Sequence, residues 1–117
     1  MGAHKFIGNH FIIDLKECEN YLNTFEFASF FYNILEEIGA TVLNTLITTF
    51  GQKDAATILY TLSESSSEIH CYPEMNSHFI EIFTCGESIQ PQNIEPILID
   101  ILRPKYKDVK FVRRGDF

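Results

Sequence analysis

A hydroxyl, an imidazole and a thiol fall within one compact part of the chain. The run Ser63-Glu64-Ser65-Ser66-Ser67-Glu68-Ile69-His70-Cys71-Tyr72-Pro73-Glu74 is followed by Phe83-Thr84-Cys85-Gly86. An imidazole titrates near neutral pH and can take a proton during a reaction. A thiol with a reference pKa of about 8.5 is mostly protonated at neutral pH and can give one. Each residue also has a plain structural reading. A serine in a polar turn can serve the turn alone, a strand histidine can simply be hydrogen-bonded, and a lone cysteine can be a small buried apolar side chain. His70, Cys71, His78 and Cys85 lack metal-ligand spacing, so no metal is expected. The three cysteines show no C-x-x-C pair, which points to reduced thiols rather than a disulfide framework. A phosphate-binding P-loop and a G-x-G-x-x-G fingerprint are both absent.

The elements that would hold these residues are legible from periodicity. Lys5 to Lys16 carries Phe6, Ile7, Phe11, Ile12, Ile13 and Leu15, which predicts a first, largely buried strand. Asn23 and Glu26 have capping-box spacing, Phe27, Phe31, Ile34 and Ile38 recur at helical intervals, and Gly39 supplies a stop. Short runs rich in β-branched residues follow at Thr41 to Phe50, Thr57 to Leu62, Ser67 to Tyr72 and Phe79 to Cys85. Turn-like segments separate them at Gly51 to Asp54, Ser63 to Ser66 and Pro73 to Ser77, and links this short favour antiparallel neighbours. A second helix is predicted from about Gln92 to Leu102, and Val109 to Val112 closes the chain as a last strand. The expected fold class is α+β, a two-layer sandwich of a mainly antiparallel sheet with two helices on one face.

With 117 residues there is room for one domain, and 45% hydrophobic content with 11 Phe supplies a modest core. A domain of this size gains from completing an exposed face with a second copy. The formal charge of -7 argues against nucleic-acid binding, which draws affinity from clustered Lys and Arg. The stretch Met1 to His10 lacks the apolar core of a signal peptide, and no apolar run is long enough to span a membrane. A soluble, cytoplasmic protein is expected.

The chemistry-bearing stretch resembles the small bacterial and archaeal type of S-adenosylmethionine decarboxylase, a self-cleaving pyruvoyl-dependent proenzyme. The family's hallmark is a Glu-Ser pair, a His five residues after that Ser, a Pro-Glu pair shortly beyond, and then Phe-Thr-Cys-Gly. All are present. Gly8-Asn9-His10, Cys18 and Gly39-Ala40-Thr41 extend the resemblance over nearly the whole chain. A protein without cofactor motifs has no good electron sink for decarboxylation, so a self-made carbonyl is a consistent solution.

The resemblance implies that the Ser65 hydroxyl attacks the carbonyl of Glu64, giving an ester that β-eliminates to dehydroalanine and hydrolyses to a pyruvoyl group. Residues 1-64 would then form one chain and 65-117 the other. By the same resemblance Thr57, at a position where the family has Ser, supplies the hydroxyl for processing, and His70 is the processing base. The substrate amine would condense with the pyruvoyl ketone as a Schiff base, and Cys85 would return a proton after carbon dioxide leaves. Phe50 matches an aromatic that stacks on adenine, Glu74 a carboxylate that holds the ribose hydroxyls, and Tyr72 a ring able to favour the sulfonium. The implied assembly is a homodimer of processed protomers with sites near the subunit interface, making the aminopropyl donor for spermidine and other polyamines.

The chain departs from the pattern in places. Ser66 replaces a usual His, Glu68 stands where a small hydroxyl residue is typical, Thr48 replaces a His, and Gly51 to Asp54 lack the family's Pro and Gly. The extra charge of Glu68 would favour a second cationic group on the substrate. Two alternatives therefore stand beside S-adenosylmethionine: pyruvoyl-dependent decarboxylation of ornithine or arginine, and an unprocessed regulatory paralogue that activates a partner.

Overall fold

A computed structural model describes residues 7–51 and 55–115. The chain runs β1 (Gly8–Cys18), α1 (Thr24–Glu37), β2 (Val42–Phe50), β3 (Ala55–Leu62), β4 (Ser65–Tyr72), β5 (Ser77–Cys85), α2 (Ile94–Leu102) and β6 (Pro104–Arg114). The six strands form one sheet in the order β2-β3-β4-β5-β1-β6, and every neighbouring pair is antiparallel. Both helices cover the same face, so the α+β two-layer reading holds.

The period-two alternation of the strands decides which face is which. Phe11, Ile13 and Leu15 of β1, Ile58, Tyr60 and Leu62 of β3, Ile69 and Cys71 of β4, and Ile80 and Ile82 of β5 are buried under the helices. Phe27, Phe31, Ile34 and Leu35 of α1 and Ile94, Leu98 and Leu102 of α2 close that core. Tyr60 is a large core residue with a polar tip, and its hydroxyl donates to the Ala28 carbonyl at 2.6 Å, tying β3 to α1. The predicted capping box is present: Glu26 N–H donates to Asn23 Oδ1 at 2.9 Å, and Asn23 N–H to Glu26 Oε1 at 3.0 Å. Gly39, at φ 102, carries the chain out of α1, and Ala40 N–H returns to the Leu35 carbonyl.

Boundaries differ from the sequence reading where apolar periodicity was a poor guide. The polar start of β4, Ser65 and Ser66, is strand rather than turn, because it pairs with Leu62 and Thr61 on one side and Phe83 on the other. The turn shrinks to Ser63 and Glu64. Strand β6 spans Pro104–Arg114, far longer than the Val109 to Val112 expected, because it pairs along all of β1 despite its charged composition. The predicted second helix begins two residues late, after a 3-10 turn at Pro91–Asn93. Lys5, Phe6 and residues 52–54 of the predicted first strand and first turn lie outside the described residues.

Candidate active site

The sheet face opposite the helices carries the even-numbered side chains of β4 and the odd-numbered side chains of β5. Cross-strand register sets out its rows. One row runs Thr48, Thr57, His70, Phe79, Asp14 and Asp108 from β2 to β6; the next holds Leu46, Leu59, Glu68, Glu81, Ile12 and Lys110. No helix covers this face among the described residues.

Thr57 and His70 are direct cross-strand partners, and Thr57 Oγ1 lies 3.2 Å from His70 Nδ1. The other ring nitrogen, Nε2, lies 3.2 Å from Glu68 Oε2, two residues back along β4. Glu68 in turn stands directly opposite Glu81 of β5, and His10 Nε2 of β1 is 3.8 Å from Glu81 Oε2. Like charges directly opposite on neighbouring strands destabilise a sheet, and a histidine ring nitrogen lies within 4 Å of each of these carboxylates. A 230 Å³ cavity opens beside these groups, lined by His10, Leu59, Ser66, Glu68, Glu81 and Phe83 among others. Glu81 and His10 were not singled out as site residues from the sequence. The signal was available in β5, where Glu81 shares the parity of Cys85 and so faces the same way.

Ser65 lies at another station on the strand. It opens β4 directly after the two-residue turn, and Glu64, immediately before it, has φ 61. A non-glycine residue held in the left-handed region costs about 1–2 kcal/mol. The Cys85 N–H donates to Ser65 Oγ at 3.4 Å, which brings the end of β5 against the start of β4. Of the three free cysteines, Cys85 is exposed, whereas Cys18 and Cys71 are buried and burial pushes their thiols up to about 11. A thiol able to meet a substrate is therefore Cys85.

The predicted residues thus form three groups on one sheet. Ser65, Glu64 and Cys85 sit at one end. Thr57 and His70 stand in the middle, five residues along β4 from Ser65, or about 16 Å of extended strand. Tyr72, Glu74 and Phe50 gather at the far end, some 20 Å or more from Ser65 by the same rise. There Tyr72 packs edge-on against Phe79 at 5.0 Å between ring centroids, Glu74 borders a 460 Å³ cavity with Lys16 and Met75, and Phe50 ends β2 half exposed. A proton moves between groups only within about 3 Å, or through one water, so a single protomer does not bring Ser65 and His70 together.

Among the described residues no group of three or more His, Cys, Asp or Glu side chains is placed to hold a metal ion, and no helix is long and apolar enough to cross a membrane. The chain matches the family model described as S-adenosylmethionine decarboxylase over residues 9–115. It is 34% identical over 110 residues to S-adenosylmethionine decarboxylase proenzyme 2 of Bacillus cereus, covering 92% of this chain and 89% of that protein. It is 29% identical over 113 residues to an S-adenosylmethionine decarboxylase proenzyme of Methanococcus maripaludis, covering 95% and 92%. The fold is similar to the crystal structure of the adenosylmethionine decarboxylase from Aquifex aeolicus, with a TM-score of 0.82 at 22% identity over 97% of this chain and 95% of that one. With nearly its full length matched by the family model and by relatives of the same size, the chain belongs to the S-adenosylmethionine decarboxylase family.

Proposed function

We propose that this chain cuts itself between Glu64 and Ser65 and then decarboxylates S-adenosylmethionine, in the cytosol, to supply the aminopropyl donor of polyamine synthesis. The observation that carries the reading is the split of the candidate residues: a strained Glu64-Ser65 bond beside Cys85 at one end of the sheet, and a hydroxyl-imidazole pair, Thr57 and His70, on the open face about 16 Å away along the strand. A homodimer resolves the separation. Two copies packed by their open faces about a two-fold axis would set the Ser65 end of each against the His70 row of the other, giving two identical composite sites. The free state of all three cysteines supports a reducing compartment.

In self-cleavage the Ser65 hydroxyl adds to the Glu64 carbonyl, and the bond to the Ser65 nitrogen breaks to leave an ester. The left-handed Glu64 supports this step, since its strain is released when the peptide bond opens. Thr57 donates to the tetrahedral oxygen, and His70 takes the proton from the α-carbon of residue 65. The Glu64 carboxylate then leaves as the end of chain 1-64. The dehydroalanine that remains at residue 65 takes up water and loses ammonia.

The pyruvoyl group so made supplies a ketone as the electron sink for decarboxylation, and needs no metal. Ser65 suits its formation, because it begins a strand at a tight turn where a new chain end can separate without breaking a core contact. Around it Cys85 holds the proton that the product carbon receives. Glu74, Tyr72 and Phe50 of the facing copy would take the ribose, sulfonium and adenine.

A second reading rests on Glu68 and Glu81, paired in the cavity beside Ser66. Two carboxylates there suit the distal cation of ornithine or arginine. Intact-mass measurement of the purified chain, followed by carbon dioxide release from each labelled amino acid, tests both readings. Two fragments, the second with a blocked amino end, and release from S-adenosylmethionine are the expected results. Release from ornithine or arginine alone would move the assignment to the second reading. A single full-length species that resists carbonyl reagents would leave only an unprocessed, regulatory subunit.

A further inference from the structure

We infer that Glu68 is a positioning residue that fixes the tautomer of His70, so that a carboxylate, an imidazole and a hydroxyl act in series across β4 and β3. The inference rests on the reading of His70 as the processing base, and it adds a residue that the family pattern lacks, since a small hydroxyl residue is typical at this position.

For the neutral ring the geometry leaves one consistent proton arrangement. An ionised carboxylate only accepts hydrogen bonds, so the 3.2 Å contact between Glu68 Oε2 and His70 Nε2 requires the proton on Nε2. In the neutral ring the lone pair is then on Nδ1. That nitrogen is 3.2 Å from Thr57 Oγ1, which donates its hydroxyl hydrogen to it in the resting chain; when the hydroxyl turns to the tetrahedral oxygen, the Nδ1 lone pair is free to take the α-proton. Reversing the tautomer would put a lone pair on Nε2 against the carboxylate, two acceptors with no hydrogen between them. Strand geometry makes the series rigid. Glu68 and His70 are two apart on β4, so both side chains leave the same face, and Thr57 is the direct partner of His70 on β3. The arrangement matches the general logic of a base oriented by a third group. It also accounts for the direct opposition of Glu68 and Glu81, which the sheet would otherwise be better without.

The test uses the full chain carrying Ser65→Ala, which cannot cleave, with nitrogen-15 in its histidines. The expected spectrum places the His70 proton on Nε2, with Nδ1 in the shift range of an unprotonated, hydrogen-bonded nitrogen. Adding Glu68→Ala should convert this to a mixture of tautomers. The control Glu81→Ala, which removes a carboxylate that does not touch His70, should leave the spectrum of that ring unchanged. In the chain with Ser65 intact, Glu68→Ala should slow self-cleavage by about 10- to 100-fold, the range seen when the carboxylate behind a metal-bound histidine is removed. A proton on Nδ1 in the uncleavable chain would overturn the inference, as would an unaltered tautomer after Glu68→Ala. If the Glu68→Ala chain does not fold, the first spectrum alone decides. The readouts separate the two claims: a tautomer that responds in a protein that never cleaves would keep the positioning role and remove the processing role.

Discussion

At the scale of single residues, the proposed reading assigns self-cleavage and turnover to different groups. Cys85 meets Ser65 through its backbone N–H, not its thiol. Truncating the side chain to alanine leaves that bond in place, so Cys85→Ala should still divide into two fragments. Loss of a positioned proton donor costs about 10²- to 10⁴-fold, so kcat on S-adenosylmethionine should fall within that range. Gel analysis and carbon dioxide release on one preparation check both halves. An uncleaved Cys85→Ala chain would show that the thiol has an earlier task. Thr57 behaves oppositely. Only its hydroxyl lies against His70 Nδ1, so Thr57→Ser should cleave at close to the parental rate, whereas Thr57→Val, similar in shape and without a donor, should accumulate as the intact precursor. The roles are those the family resemblance implies; strand periodicity adds that residues at even offsets on one strand share a face. The contact of Glu68 with His70 was not readable in the same way. An offset of two places both on one face, but the rotamers that bring Oε2 to Nε2 depend on the neighbouring strands.

At the scale of elements, two features bear on stability. The β3–β4 hairpin turns on Ser63 and Glu64 alone, with Glu64 at φ 61. Glycine adopts that conformation without the Cβ clash, so Glu64→Gly in the uncleavable Ser65→Ala chain should raise the unfolding free energy by about 1 kcal/mol, read by urea titration. The second feature lies under α1. His78, at the start of β5, is fully buried, stacked between Tyr21 at 4.6 Å and Phe27 at 4.1 Å, and neither ring nitrogen has a hydrogen-bond partner. Burial holds its pKa down to about 3 in the folded chain, against an unfolded value of 6.5. Above pH 6.5 the ring is neutral in both states. As the pH falls below that, the unfolded chain takes up a proton that the folded chain refuses, and stability drops by about 1 kcal/mol per pH unit. Asp14, raised first by desolvation and then by the charge of Asp108, contributes with the opposite sign, and because it is kept in His78→Phe the difference between the two proteins isolates the histidine. Urea midpoints at pH 6.5 and 5 should differ in the parent and converge in His78→Phe. Equal slopes in the two proteins would refute the assignment. The core stripe of α1 and its capping box were legible because local periodicity and capping chemistry agree. The length of β6 was not, since its charged residues acquire strand structure only by pairing with β1.

At the scale of the whole molecule, cleavage after residue 64 would divide the sheet between two chains without dividing the fold. Chain 1-64 would hold β1, α1, β2 and β3, and chain 65-117 would hold β4, β5, α2 and β6. In the strand order β2-β3-β4-β5-β1-β6, β1 of the first chain is enclosed between β5 and β6 of the second. The fragments are interleaved, and they should co-migrate in native size-exclusion chromatography and part only in denaturant. The same sheet sets the logic of the composite site. If Ser65 is served by the His70 of the facing copy, a chain with His70→Ala keeps a competent Ser65, and a chain with Ser65→Ala keeps a competent His70. Each alone should remain whole. Co-expressed, they should form mixed dimers in which one site combines the intact Ser65 of one chain with the intact His70 of the other. The His70→Ala chain should then be cut while the Ser65→Ala chain stays full length, a pattern that mass spectrometry reads directly. Random pairing makes about half of all dimers mixed, so roughly half of the His70→Ala chains should be cut at completion. Should neither chain be cut in a mixture shown by differential tagging to contain mixed dimers, the two sets of residues are not joined across the open faces. The roughly 16 Å along β4 would then have to be closed within one protomer, which an extended strand hydrogen-bonded on both sides cannot do without leaving the sheet.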